Sequence, residues 1–338
     1  MREQWYVGAT SAQVGSQPLA VRILDEPIVL FRDGAGRVSA LPDRCSHRNA
    51  LLSGGVVRDG CLQCPYHGWR FDGQGRCVGI PSLAGDDRIP AGAHVPPLPV
   101  REQDGYVWVY VGEQDPGERL PYQLPHRGGA GWGESRFAVT IRNSVDNVIE
   151  NFIDCPHTGY IHGGLFRQPA SHQATTTVRR AADGIVIEID EETQAESLLG
   201  RLLVPRGAQV EHTDRFIMPS IVQVAYRFSP TRQVIGHQIC TPVTPFETVV
   251  FVHVAWQLGW ISPVLAPLVG FVGRRIMAQD LGILDSQGEQ VRRHGEHFVS
   301  TAADTANVWI RAFRQQAIAG RPAADDGPAR EKRVTFRL

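Results

Sequence analysis

The chain has 338 residues, of which 42% are hydrophobic, and this length and composition suit about two globular domains. Its 34 basic and 35 acidic residues leave a net charge of −1, which gives no electrostatic reason to expect a nucleic-acid partner or an anionic membrane. Six cysteines are too few for a disulfide framework in a chain of this length, so composition favours a reducing compartment.

No membrane-spanning or secretory segment is predicted. The first residues lack the apolar core and the cleavage site of a secretory signal. The longest apolar stretch, 260–272, is too short for a membrane span and contains two prolines, although a peripheral contact with lipid stays open. We therefore expect a cytoplasmic protein.

Residues 1–118 are predicted to form a small all-β domain. Short apolar or alternating runs, separated by Gly, Asp and Pro, are typical of strands joined by turns. The predicted strands are 19–24, 27–31, 38–41 and 106–111. The segment 114–133 is rich in Pro and Gly, which indicates a boundary, and we place the end of the first domain after residue 118.

Two short motifs inside this domain each pair a cysteine with a histidine. They are Cys45-x-His47 and Cys64-x2-His67, with sixteen residues between His47 and Cys64. Two thiolates on one iron and two imidazoles on the other are the ligand set of a Rieske [2Fe–2S] centre. Structural zinc also accepts two cysteines and two histidines, but zinc fingers usually pair like residues in each half. Because both halves are mixed here, the sequence favours the [2Fe–2S] cluster.

Residues 119–320 are predicted to form an α+β domain, and 321–338 a flexible C-terminal tail. A helix over 143–162 is followed by a series of strands and then by two late helices, 264–297, which we expect to be broken, and 301–319. The predicted strands are 137–142, 175–180, 185–190, 210–217, 221–228, 234–240 and 249–256. A long antiparallel sheet with late helices is an α+β pattern and can enclose an apolar cavity.

A second motif with metal-binding character lies in the predicted helix 143–162. His157 and His162 are five residues apart, and Asp154 precedes His157 by three. Two histidines and a carboxylate on one face of an octahedron form the facial triad of non-haem Fe(II) oxygenases. Residues five apart diverge by about 140° on an ideal helix. Both imidazoles can still reach one metal if the turn widens or breaks at Gly159.

With both motifs present in this order, nearly the whole chain resembles the catalytic α subunit of the Rieske non-haem iron oxygenases, the ring-hydroxylating oxygenase family. The resemblance implies a C-terminal helix-grip domain, one [2Fe–2S] cluster and one mononuclear Fe(II) per chain, and O2 as cosubstrate. It implies a third iron ligand from a late helix. In the segment 277–287 it assigns Asp280 to the iron and leaves the role of the nearby Asp285 open.

The same resemblance implies roles for two residues before the histidines. Asp154 links the mononuclear site of one subunit to a Rieske histidine of the next, and Asn151 belongs to the surroundings of the iron. A carboxylate suits such a link because it can accept the N–H of a ligated imidazole, orient the ring and raise its basicity. This link requires a head-to-tail ring of subunits, and three is the usual number in the family.

The function implied is that of a terminal oxygenase. No G-x-G-x-x-G fingerprint occurs, so a separate ferredoxin or flavin reductase must supply the electrons. The short chain is similar to the α3 subgroup, which includes monooxygenases, O- and N-demethylases and pheophorbide-oxygenase-like enzymes. We therefore expect hydroxylation or oxidative demethylation of a bulky cyclic organic substrate.

Arene cis-dihydroxylation and a Rieske electron carrier without oxygenase activity remain alternatives. The sequence does not name the substrate. Residues that could contact it, although each also suits the core, are Phe152, Phe166, Met218 and Trp256.

Overall fold

The computed structural model describes residues 1–85, 87–126, 128–162, 173–190, 210–259, 262–320 and 331–337. The chain divides into two compact units, Met1–Leu124 and Pro125–Leu338. The boundary predicted from the sequence lies earlier, after residue 118. Across the described ranges, no helix combines the length and the apolar character that crossing a membrane requires.

The first unit consists of short antiparallel strands, many of them rich in β-branched and aromatic residues. Its strands are β1 (Gln4–Thr10), β2 (Leu19–Ile23), β3 (Glu26–Arg32), β4 (Val38–Pro42), β5 (Val56–Arg58), β6 (Cys61–Gln63), β7 (Arg70–Phe71), β8 (Cys77–Gly79), β9 (Val100–Gln103) and β10 (Tyr106–Val111). Within the described residues they form three sheets, in the orders β1-β10-β9, β2-β3-β4 and β5-β6-β7-β8. The four predicted strands are confirmed as β2, β3, β4 and β10. The sequence analysis missed β1 and the strands β5 to β9, each of the latter only two to four residues long.

Alternation along β3 separates two apolar cores in this unit. Ile28 and Leu30 pack into a core with residues of β1, β2 and β10. Val29 and Phe31 belong to the other core, because successive residues of a strand point to opposite faces. That second core also contains Cys45. The framework of the first unit therefore packs directly against a loop with a cysteine–histidine motif.

The described part of the second unit contains an antiparallel sheet of eight strands, in the order β11-β17-β16-β15-β14-β13-β12-β18. The strands are β11 (Gly133–Ile141), β12 (Gln173–Ala181), β13 (Gly184–Asp190), β14 (Glu211–Ile217), β15 (Ile221–Ser229), β16 (Arg232–Thr244), β17 (Glu247–Gln257) and β18 (Glu331–Arg337). One face of this sheet packs against the helices of the unit around a shared apolar core. The α+β class predicted from the sequence is confirmed.

The predicted C-terminal tail is wrong for residues 331–337, which form β18. This strand pairs with β12, from Gln173 opposite Arg337 to Arg179 opposite Glu331. Its Val334 is buried and Phe336 packs against the core, so alternate side chains join the apolar face of the sheet. Residues 321–330 lie outside the described part of the chain.

The described helices of the second unit are α1 (Val145–Ile153), α2 (His157–Ile161), α3 (Ala266–His294) and α4 (Thr305–Ile318). The single helix predicted over 143–162 is wrong, because the backbone of Asp154 is extended and separates α1 from α2. The break predicted in the late helix is also wrong. Its Pro267 lies in the first turn of α3, where no intrahelical N–H bond is lost.

Glycines allow α3 to lie close to β11 and to the residue that follows it. A Cβ atom on Gly288 would lie 2.1 Å from the carbonyl oxygen of Arg142, and one on Gly270 would lie 2.8 Å from Oγ of Ser135. Only a residue without a side chain fits at Gly288, since real Cβ atoms do not approach a backbone oxygen so closely. This close packing fixes the position of α3 against the sheet.

Candidate metal centres

Two loops of the first unit hold the cysteine–histidine motifs. Cys45 and His47 follow β4, whereas Cys64 and His67 follow β6. Each loop closes through a main-chain hydrogen bond donated by the N–H of its cysteine, 2.9 Å long for Cys45 and 2.8 Å for Cys64. Gly68 has a φ of +73°, a conformation that glycine adopts at little cost. Both loops are therefore held by their own backbone.

The two cysteines are buried, with 1% of Cys45 and 2% of Cys64 exposed. Burial, together with the adjacent Cys64 thiol, raises the pKa of Cys45 to about 11. A thiol with this pKa stays protonated near neutral pH unless a metal binds its sulfur. All six cysteines are free, so no disulfide competes for these two.

The two histidines of these loops lie side by side. The ring centroids of His47 and His67 are 4.5 Å apart at an interplanar angle of 68°, and the ring of His47 stacks on Trp69 at 4.5 Å and 4°. Nδ1 of His47 is buried without a hydrogen-bond partner among the described residues. Burial, and then the charges of His67 and Arg48, lower the pKa of His47, which favours the neutral, metal-binding imidazole. Two buried thiols and two adjacent imidazoles fit a Rieske cluster.

In the second unit, a broken helix positions two further histidines. α1 begins at Ser144, whose Oγ accepts the N–H of Asn147 at 3.3 Å. α2 starts at His157 and ends before His162, whose φ and ψ are −101° and 26°. Gly159 lies inside α2, so the helix does not break at this residue. The helix ends at His162 instead.

Asp280, from the middle of α3, completes a cluster with these histidines. Its Oδ1 lies 3.2 Å from Nε2 of His162 and 3.7 Å from Nε2 of His157. One ligand atom from each of the three residues lies within 4.8 Å of the others. His162 and Asp280 are each 3% exposed. Burial alone would lower the pKa of His162, but the Asp280 carboxylate outweighs it and the pKa is raised.

Neighbouring oxygen atoms fix the orientation of both rings. Nδ1 of His162 lies 3.0 Å from Oε1 of Gln279, and Nδ1 of His157 contacts the carbonyl oxygen of Asp154. Since both oxygens are acceptors, each Nδ1 is the donor, which leaves the Nε2 lone pairs for a metal. Gln279 was not among the site residues predicted from the sequence, because its role depends on a contact with His162, 117 residues away in the chain.

The two predicted residues that precede His157 are not members of the cluster. Oδ2 of Asp154 lies 3.7 Å from Nδ1 of His157. Burial, with the charges of Asp304 and Glu150, raises the pKa of Asp154 to about 6. Asn151, one turn earlier on α1, has a buried Oδ1 without a hydrogen-bond partner in the described ranges. As far as the described residues show, its amide oxygen is thus left for another group.

Asp285 has a structural task that the sequence left open. Its Oδ1 accepts the main-chain N–H of Arg142 at 2.7 Å, and its Oδ2 accepts Nε–H of the same residue at 3.0 Å. The adjacent Asn143 donates to the carbonyl oxygen of Leu284 at 2.7 Å and to Oε1 of Gln287 at 3.0 Å. These contacts attach α3 to the junction between β11 and α1. They hold Asp280 in register with the two histidines.

The proposed pocket residues have different surroundings. Trp256 is fully buried and donates its Nε1–H to the carbonyl oxygen of Ser262, as a core residue does. Phe152 and Met218 are partly buried and pack against the core. Phe166 lies outside the described residues.

Two family models match the chain. The model of the Rieske [2Fe-2S] domain matches residues 4–99, and that of the vanillate O-demethylase oxygenase C-terminal domain matches residues 141–320, more than half of the chain. The chain therefore belongs to the Rieske non-haem iron oxygenases, a family that uses a [2Fe–2S] cluster, a mononuclear iron and O2. The resemblance and the cofactors inferred from the sequence are confirmed at this level.

Individual relatives include protein TIC 55, chloroplastic, from Arabidopsis thaliana, which is 30% identical over 330 residues, 93% of this chain and 58% of that protein. The oxygenase component of dicamba O-demethylase from Stenotrophomonas maltophilia is 36% identical over 171 residues, 48% of either chain. The crystal structure of dicamba monooxygenase bound to dicamba has a TM-score of 0.81 and 26% identity, covering 95% of this chain and 99% of that one. The chain spans about half the length of the curated relatives it matches.

Proposed function

We propose that this protein is a terminal oxygenase that uses O2 and externally supplied electrons to hydroxylate or oxidatively demethylate a bulky cyclic organic substrate. The observation that supports it most directly is the convergence of His157, His162 and Asp280 within 4.8 Å in the domain that matches the vanillate O-demethylase type. Such a two-histidine, one-carboxylate set leaves coordination positions open on Fe(II). The relationship to dicamba O-demethylase favours demethylation or monooxygenation over dihydroxylation.

In this proposal the first domain, residues 1–118, holds the [2Fe–2S] cluster and the second, 119–320, the mononuclear iron. Cys45, His47, Cys64 and His67 bind the cluster. The assignment of His47 is supported by its buried Nδ1, which has no hydrogen-bond partner in the described part of the chain. His157, His162 and Asp280 bind the iron. When bound, the cluster delivers single electrons and the iron provides the means of activating O2.

The residues around the second site then have distinct tasks. Gln279 and the Asp154 carbonyl hold the Nδ1 atoms of the two imidazoles, so that the Nε2 atoms face the metal. Asp154 is the bridge to a Rieske histidine of a neighbouring subunit, and the proximity of its carboxylate to His157 supports this. Asn151 belongs to the surroundings of the iron, which is supported by its buried amide oxygen, since this atom has no hydrogen-bond partner among the residues that the structure describes.

The bridge by Asp154 requires a head-to-tail ring, and we propose a homotrimer. A separate ferredoxin or flavin reductase supplies the electrons, since the sequence has no dinucleotide-binding fingerprint. We propose the cytoplasm as the location, which the free cysteines support because disulfides are rare in reducing compartments.

The test supplies the reconstituted protein with a surrogate reductase, ¹⁸O2 and a panel of cyclic methyl ethers, N-methyl heterocycles and alicyclic compounds. One labelled oxygen atom in a new hydroxyl group, or release of a methyl group as formaldehyde, is the expected result. Two labelled atoms in a cis-diol would overturn the preference for monooxygenation. A preparation with two irons per chain, both in the Rieske spectrum and unaffected by His157→Ala, would indicate an electron carrier and overturn the oxygenase proposal.

A further inference from the structure

Three buried polar residues connect the sheet of the second unit to the turn between α1 and α2. The Sγ–H of Cys155 donates to Oδ2 of Asp214 at 3.8 Å, and Oδ1 of Asp214 lies 2.8 Å from Nε2 of His212. The His212 ring stacks on Tyr226 with a centroid distance of 4.2 Å and an interplanar angle of 21°. We refer to Cys155, Asp214 and His212 as the tether.

The tether lies in the protein interior, where a charged group is energetically unfavourable. Asp214 is 2% exposed, His212 4% and Cys155 8%. Burying a carboxylate away from water costs free energy that is recovered only if its oxygens have partners. Breaking such a pair destabilises a protein, yet apolar residues of similar volume would fill the space at no electrostatic cost. The need for an apolar core therefore does not explain why Asp214 and His212 occupy this position.

The location of Cys155 suggests what the tether does. Cys155 lies between Asp154 and His157, where the chain leaves α1 and enters α2. Its carbonyl oxygen accepts the N–H of Thr158 at 3.2 Å and the hydroxyl of the same residue at 2.8 Å. Its side chain is held from the other direction by Asp214 on β14. The turn is thus fixed at Cys155 from the helix side and from the sheet side.

This turn determines the geometry of the first histidine of the cluster. Nδ1 of His157 contacts the carbonyl oxygen of Asp154, the residue immediately before Cys155. A shift of Cys155 moves that carbonyl group and with it the direction in which Nε2 of His157 points. Hydrogen bonds of this kind orient metal ligands, and their loss typically costs about 10- to 100-fold in metal affinity.

The direction of the Cys155 thiol also determines whether its sulfur competes for the metal. A cysteine two residues from His157 offers a sulfur ligand that transition metals such as cobalt and iron accept. Because the thiol donates its proton to Asp214 on β14, the sulfur is held against the sheet. In the described part of the chain, the candidate metal cluster contains His157, His162 and Asp280 but not Cys155.

We propose that Asp214 and His212 are positioning residues, which act through the Cys155 thiol to fix the turn that presents His157 to the metal and Asp154 to the neighbouring subunit. The proposal rests on the assignment of His157, His162 and Asp280 as metal ligands.

The test measures metal affinity, which is independent of substrate and turnover. Protein with its cluster in place but without the mononuclear metal is titrated with Co²⁺ in competition with a chelator, and the visible absorption of bound cobalt is followed. We expect Cys155→Ala and Asp214→Asn each to weaken Co²⁺ binding by about 10- to 100-fold. Cys155→Ser, which retains a donor, should stay within about threefold of the wild type.

Cys240→Ala is the matched control. Cys240 is fully buried in the same core, and its Sγ donates to the carbonyl oxygen of Gln238 at 3.7 Å. The two alanine variants should lose similar stability against urea, but only Cys155→Ala should lose metal affinity. Equal cobalt affinity in Cys155→Ala and Cys240→Ala would overturn the proposal. If Asp214→Asn does not fold, the alanine and serine variants of Cys155 still decide it.

Two further arms separate the tether from the metal assignment. If Asp214 acts through Cys155, the double variant Cys155→Ala/Asp214→Asn should bind cobalt no more weakly than the weaker single variant, and additive losses would contradict this. His162→Ala should abolish cobalt binding at the site. Cobalt retained by His162→Ala would overturn the assignment of the triad and the tether with it, whereas failure of the Cys155 comparison alone leaves the proposed function intact.

Discussion

Nε2 of His162 lies 3.2 Å from Oδ1 of Asp280, although His162 ends the short helix α2 and Asp280 lies in the middle of the long helix α3. The buried imidazole of His162 and the buried carboxylate of Asp280 are kept in this position by contacts elsewhere on α3. Asp285 and Gly288 secure the helix against Arg142 at the end of β11.

Asp280→Asn is expected to remove the mononuclear iron and leave the Rieske cluster in place. The amide is close to isosteric with the carboxylate, but it lacks the charge that a hard cation such as Fe²⁺ favours. Metal analysis should fall from about three irons per chain to about two, with an unchanged Rieske spectrum. Glu289→Gln changes an exposed carboxylate of the same helix, outside the cluster, and should retain all the iron. Equal iron content in both variants would contradict the assignment.

Asp154→Asn should retain both metal sites and nearly abolish turnover. The neutral amide lacks the charge of the carboxylate and one of its two acceptor oxygens, so it cannot accept an imidazole N–H at each end and the link between the sites would be broken. We expect turnover to fall by about 100-fold or more, at the upper end of what such partners contribute. The measurement is single-turnover oxidation of the pre-reduced cluster in the presence of substrate.

The control is Asp304→Asn, which removes the nearby charge that helps raise the pKa of Asp154 but leaves the Asp154 carboxylate in place. It should keep substantial turnover. Normal cluster oxidation in Asp154→Asn would remove Asp154 from the electron path.

Two glycines of α3 should respond in opposite directions to alanine. Gly288→Ala places a Cβ atom 2.1 Å from the carbonyl oxygen of Arg142, so the helix must move and we expect a loss of about 2–4 kcal/mol. At Gly282 a Cβ atom meets nothing within 4 Å, and Gly282→Ala should stabilise the protein by about 0.5–1 kcal/mol through helix propensity. Urea unfolding checks both values, and similar effects of the two changes would be inconsistent with the close packing.

His237 makes the second unit sensitive to acid. Burial, with the charges of His253 and His126, lowers the pKa of this imidazole on β16 to about 3. In the unfolded chain a histidine has a pKa of about 6.5, so between these values the unfolded state binds a proton that the folded state does not. Stability is therefore fully present above about pH 6.5 and falls with decreasing pH, by up to about 1.4 kcal/mol per unit.

Replacing His237 by Gln should flatten this dependence. The free energy of unfolding, measured in urea between about pH 7 and pH 5, should fall less steeply in His237→Gln than in the wild type. His294→Gln changes an exposed histidine of the same unit and should leave the slope unchanged. The same slope in His237→Gln as in the wild type would show that another group is responsible.

Most of the strands were predictable because their apolar residues repeat over five or more positions. The predictions failed where the deciding contact is not local. β18 contributes only the buried Val334 and the partly buried Phe336 to the core, and its place depends on pairing with β12. The break at Asp154 likewise follows from the way Cys155 and its neighbours are held, and periodicity alone extended one helix through it.

The sequence by itself determined those ligands of each metal centre that lie within a few residues of one another. Cys45 with His47, Cys64 with His67, and His157 with His162 are local pairs, and the choice of thiolate, imidazole and carboxylate limits the metals that such pairs can bind. Only the tertiary structure decided how Asp280 meets the histidines, why Asp285 does not, and how Asp214 and His212 contact Cys155. The reason is that a side chain's direction depends on how its helix or strand packs, and that packing involves residues far away in the chain.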